Sequence, residues 1–194
     1  MSIANSFREV VSWAIIPFNN GLTYDIKKTP ELTIGKQRDI AQKTEKEWGN
    51  QIIGQKNNGN WTTLLGEGIV FETLKKLGEN PRKPETKNGY LPDWETDKYI
   101  YEVKTRNWTT SGTAGEKVLG VIYKYSDIPE LYGKPLKIVC VAYQEHELTH
   151  GNTKIFGEVS ESKKKFLDLA KSMYIEYVKF SDLVSQINSE SEPQ

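Results

Sequence analysis

The rhythm of hydrophobic and polar positions changes near residue 59 and divides the chain in two. Ahead of that point Phe7, Val10, Val11, Ala14 and Ile15 recur at helical spacing, and a Pro17, Asn19, Asn20, Gly21 cluster then interrupts them. Residues 37–48 read as a polar, solvent-exposed helix, followed by the polar loop 55–60. Residues 1–58 are therefore expected to form an N-terminal helical subdomain or arm.

Beyond residue 59 helix and strand periods alternate. Thr62 or Thr63 is placed to cap a helix running to Leu77, which Gly78 and Asn80-Pro81 stop. Residues 90–95 and 99–106 read as two strands joined in a hairpin at Thr96-Asp97-Lys98. Residues 115–125 read as a helix, whereas the unbroken apolar run 136–143 has the pattern of a strand buried on both faces. A helix over 162–173, a strand over 174–180, a short helix over 181–187 and a polar tail over 188–194 complete the chain. The order, αβββαβαβα in outline, predicts an α/β fold: a mixed β-sheet flanked by helices, with its core in residues 59–187.

Composition narrows the class. The 194 residues carry 26 Lys+Arg against 26 Asp+Glu, are 37% hydrophobic and 11% aromatic, and so describe a globular domain rather than a disordered one. No segment approaches the roughly 18 apolar residues of a membrane span. The first residues lack the basic start and small-residue cleavage site of a signal peptide, which predicts a cytoplasmic protein. Cys140 is the sole cysteine, so neither an internal disulfide nor a cysteine-based metal site is possible. Because the charges balance, a nucleic-acid-binding reading requires them to be segregated locally, acids at a site and bases around it.

The hairpin carries the sharpest chemistry. Glu102 and Lys104 alternate with Val103 and so share one face of their strand, and the turn at 96–98 brings Asp93 opposite or diagonal to Glu102. Two carboxylates facing each other repel unless a hard divalent cation takes oxygen ligands from both, and such a donor set suits Mg²⁺. On the preceding helix Glu67 shares its stripe with Leu64, Val70, Phe71 and Leu74, so it is expected to face inward and to be paired, protonated or near metal.

Taken together, Gly66-Glu67, Pro92-Asp93, Glu102-Val103-Lys104 and the apolar strand after them resemble the PD-(D/E)XK nuclease superfamily, and within it the type II restriction endonucleases. The resemblance spans residues 61–180. It implies a restriction-endonuclease-like mixed sheet between helices, Mg²⁺ as the cofactor and double-stranded DNA as the partner. Carried onto this chain, it implies that Asp93, Glu102 and the Val103 carbonyl hold the metal, that Glu67 binds the metal or its water, and that Lys104 orients or deprotonates the attacking water. A palindromic site would further imply a homodimer. Candidate DNA-reading residues flank the hairpin or lie in loops: Arg106, Asn107, Trp108, Lys117, Asn57, Asn58 and Asn60.

A rival motif uses both histidines of the chain. His146-Glu147-Leu148-Thr149-His150 fits H-E-x-x-H, which binds zinc only on a helix. With an apolar run ending at Tyr143, Gly151 just beyond and no apolar stripe, the segment reads as a polar loop at a strand end. The function classes to be separated are therefore a sequence-specific endonuclease, a structure-specific, repair or nicking nuclease, a non-catalytic DNA-binding module and a zinc peptidase.

Overall fold

The computed structural model describes residues 61–106, 114–151 and 153–189, together with positions 39, 42 and 43, which are helical and fall inside the expected polar helix. The rest of the expected N-terminal subdomain lies outside the described residues.

Helix α1 (Trp61–Lys76) is apolar around most of its circumference, and Leu65, Ile69, Val70 and Leu74 are buried. It stops where left-handed backbone is cheapest: Gly78 has φ +71°, the Gly78 N–H donates to the Lys75 carbonyl and the Glu79 N–H to the Leu74 carbonyl. Two strands follow as a hairpin, β1 (Trp94–Glu95) and β2 (Ile100–Lys104). Three short helices then connect to the next strand: α2 (Ala114–Leu119), α3 (Val121–Lys124) and α4 (Ile128–Tyr132). Strand β3 (Leu136–Cys140), helices α5 (Tyr143–His150) and α6 (Glu161–Ser172), strand β4 (Ile175–Lys179) and helix α7 (Phe180–Ser189) complete the fold. Ser160 caps α6 through its hydroxyl, which accepts the Lys163 N–H.

The four strands lie in chain order, β1-β2-β3-β4, with β1 antiparallel to β2 and the other two pairs parallel. This is the expected mixed sheet flanked by helices. One face, through Tyr101, Val103 and Val139, packs against α1 and α7; the other, through Ile100, Leu136, Ile138 and Ile175, packs against α3, α4 and α6. Strand β3 is central and covered on both sides, as its unbroken apolar run requires.

Several elements depart from the sequence reading. The hairpin precedes the helices with two strands, not three, and its first strand is two residues long because Pro92 has no N–H to extend the ladder. The helix expected over 115–125 is broken at Gly120. The run 136–143 stays extended only to Cys140, and α5 begins at Tyr143 and covers residues 146–150, where a loop was expected.

Gly66 sets how closely α1 approaches the end of β2. A Cβ there would stand 2.3 Å from Thr105 Cγ2 and 3.3 Å from Val103 Cγ1. Gly66→Ala is expected to lower unfolding stability by about 1–3 kcal/mol through this overlap. Urea unfolding would show it as a lower midpoint with an unchanged slope; an equal or higher midpoint would mean that Thr105 yields without cost.

Candidate active site

Trp94 pairs with Tyr101 and Glu95 with Ile100, and Asp93, just ahead of β1, lies close enough to Glu102 for the two carboxylates to interact. The backbone N–H of Asp93 still donates to the Tyr101 carbonyl at 3.1 Å. On the other side of this step its carboxylate takes over from the ladder: Oδ2 accepts the Val103 N–H at 2.6 Å. That bond anchors the Asp93 side chain to the strand that carries Glu102 and Lys104.

The electrostatics are strained. Burial pushes the Asp93 carboxyl up to about 7, helped by the neighbouring Glu102 and, more weakly, Glu67, while the Val103 N–H and Lys104 offset part of the rise. Glu102 is only 4% exposed. Its Oε1 is ion-paired with the Lys104 ammonium, whereas Oε2 is buried without a hydrogen-bond partner of acceptable geometry among the described residues. A buried carboxylate oxygen left in this way is costly, and such groups concentrate where function requires them.

Glu67 reaches the same region from α1. Its Oε2 pairs with Lys83 Nζ at 3.1 Å, its backbone carbonyl accepts the Trp94 indole N–H at 3.0 Å, and Lys83 lies 4.1 Å above the Trp94 ring. Glu67 thus influences Asp93 electrostatically but is held by a lysine. Among the described residues no three His, Cys, Asp or Glu side chains converge tightly enough to form a ready metal cage.

Beside Lys104 opens a cleft of about 310 Å³ lined by Lys104, Lys117, Val118, Val121, Lys124 and Tyr125. Three of these are lysines, so the neutral chain does concentrate positive charge next to its buried acids. Lys117, Val121 and Lys124 follow i, i+4, i+7 spacing, the signal that could have singled out Lys124 together with Lys117. Tyr125 was also not anticipated. Burial and the nearby Glu102 and Asp93 carboxylates push its hydroxyl well above the usual range, and the Lys124 ammonium stands 4.7 Å from its ring.

The other sequence candidates fall elsewhere. Arg106 is buried, with Nη1 2.8 Å from Glu147 Oε2, so it ties the chain after β2 to α5 rather than presenting its guanidinium to solvent. Lys117 is exposed at the cleft. Asn107, Trp108, Asn57, Asn58 and Asn60 lie outside the described residues.

Helix α5 corrects the expectation of a loop at residues 146–150. Ala142, at φ +54° and ψ −128°, turns the chain sharply after β3 and frees residues 143–150 to coil. The buried face of α5 is partly polar, which hides it from a search for apolar periodicity: Gln144 and Glu145 are buried beside Leu148. Glu145 is satisfied by the Ser181 N–H at 3.0 Å and by the Ser181 hydroxyl, so it caps the start of α7. The His146 and His150 rings lie 4.8 Å apart, and burial, reinforced by His150, lowers the pKa of His146 to about 4. Glu147, the base in the zinc-peptidase pattern, is instead engaged by Arg106 and Gln144.

The chain matches no protein-family model, no curated protein and no solved structure. Among the described residues no helix is long and apolar enough to cross a membrane.

Proposed function

We propose that the chain is a Mg²⁺-dependent endonuclease of the type II restriction kind, with the PD-(D/E)XK fold, which hydrolyses phosphodiester bonds of double-stranded DNA at a specific sequence and leaves 5′-phosphates. The observation that carries this reading is the proximity of the Asp93 and Glu102 carboxylates, with Lys104 paired to Glu102, beside a lysine-lined cleft.

The residues present suit a hard cation. Among the described residues Glu102 Oε2 is buried without a hydrogen-bond partner of acceptable geometry, burial beside Glu102 keeps the Asp93 proton until about pH 7, and all the donors are oxygens. Asp93, Glu102 and the Val103 carbonyl would hold Mg²⁺, with Glu67 binding the metal or its water once released from Lys83. When bound, Mg²⁺ supplies a lowered pKa for water and charge neutralisation at the phosphate. Lys104 Nζ, within reach of Glu102, orients the attacking water, or in its neutral amine form accepts its proton. Lys117 and Lys124 bind backbone phosphates along the cleft, where an ammonium acts as a point charge. A C₂ dimer would place one such site on each strand of a palindrome.

The test is incubation of the purified protein with long DNA of known sequence, in Mg²⁺ and in EDTA. Discrete bands in Mg²⁺ alone are expected. Intact linear DNA together with cleavage of branched or damaged DNA would assign a structure-specific or repair nuclease, and binding without cutting would assign a DNA-binding module. The doubly substituted His146→Ala, His150→Ala protein is expected to cut at the wild-type rate; complete loss of cutting in a folded double variant would return α5 to the chemistry.

A further inference from the structure

The histidine pair on α5 plays no part in the reaction above, yet its geometry suits a different task. His146 and His150 are one helical turn apart, which puts both rings on one side of α5, and their centroids are 4.8 Å apart with planes inclined at 48°. An imidazole that binds Zn²⁺ at about 2.1 Å has its centroid roughly 3.2 Å from the ion, so two rings on one ion at about 90–109° have centroids roughly 4.5–5.2 Å apart. The observed separation falls inside that interval.

The surroundings favour binding without hydrolysis. His150 is exposed and His146 partly so, which leaves the pair accessible from solvent, and the Tyr143 ring packs 5.5 Å from that of His146. No third His, Cys, Asp or Glu joins them among the described residues, so water would complete the coordination of an ion held here. Glu147 lies 2.8 Å from the Arg106 guanidinium and is not available as the carboxylate base of an H-E-x-x-H hydrolase.

We propose that α5 carries a two-histidine site for a borderline divalent cation, Zn²⁺ first among them, separate from the oxygen-donor site at Asp93 and Glu102. Imidazole nitrogens select Zn²⁺ over Mg²⁺, while carboxylates suit Mg²⁺, so each site has its own ion. Bound across one turn, the ion staples α5, a helix of only eight residues.

Titration of EDTA-stripped protein with Zn²⁺ by calorimetry, in excess Mg²⁺, tests this directly. One ion per chain is expected, with a Zn²⁺-dependent rise in Tm because the ion binds the folded state. His150→Gln, a substitution at an exposed position, and His146→Gln should each weaken binding by about tenfold or more and remove the rise in Tm. Binding undiminished in either folded variant, or no saturable binding to the wild type, overturns the proposal. Zn²⁺-dependent cleavage of casein that is lost in His150→Gln would overturn the assignment of binding without hydrolysis.

Discussion

Lys104→Ala is expected to lower Mg²⁺-dependent DNA cleavage by about 10²–10⁴-fold, the usual contribution of a positioned proton-transfer group. Metal-independent DNA binding should change little, because Lys117 and Lys124 remain at the cleft. The substitution also strips the buried Glu102 of its ion pair, which threatens the fold as well as the chemistry. Lys104→Gln separates the two effects, since the amide still donates a hydrogen bond to Glu102 but carries neither charge nor a transferable proton. Single-turnover cleavage assays, with circular dichroism as the check on folding, should find both variants folded enough to bind DNA and neither able to cut it. Retained turnover in Lys104→Gln would remove Lys104 from the reaction.

Asp93→Asn is expected to stabilise the metal-free protein at pH 8 while destroying activity. An exposed aspartate ionises near 3.8 and Asp93 at about 7 in the fold. Below the lower value the side chain is protonated in both folded and unfolded states. As pH rises through the interval the folded protein keeps a proton that the unfolded chain has released, so stability falls. Above about 7 a charged carboxylate is buried beside Glu102, at a cost on the order of 4 kcal/mol. Asparagine cannot ionise, yet its carbonyl can still accept the Val103 N–H. In EDTA, thermal unfolding should therefore give Asp93→Asn a higher Tm than wild type at pH 8, with the gap narrowing as pH falls and closing only below about pH 4. Added Mg²⁺ should raise the Tm of the wild type and leave that of the variant unchanged. A gap independent of pH would mean that Asp93 is not the group under strain.

These effects trace to features that differ in how openly the sequence displays them. The approach of Asp93 to Glu102 follows from a two-residue period and a short turn, both written locally, and β3 announces itself by an apolar run that no exposed strand could carry. Helix α4 was missed although Pro129 near its start and Gly133 at its left-handed end both mark it. Helix α5 was missed for a deeper reason: its buried face includes Gln144 and Glu145, and the burial of Glu145 makes sense only once Ser181 has been brought to it from elsewhere in the chain, as Arg106 is to Glu147. The same applies to the cleft. Tyr125 gains its meaning from proximity to Glu102, and Lys124 from the cleft it shares with Lys104, relations of tertiary packing that no window of neighbouring residues contains.

The sheet order bears on how the molecule assembles. Because β1, β2, β3 and β4 lie side by side in the order of synthesis, each strand meets a partner already made, and the sheet can grow by accretion as the chain emerges. The hairpin with Asp93 and Glu102 comes first. Tyr125 follows with the connecting helices, and the parallel partner that walls in Glu102 arrives after it, with Ile138. The two acids thus meet early in water, where their repulsion is mild, and acquire their shifted ionisation only when the later strands close over them.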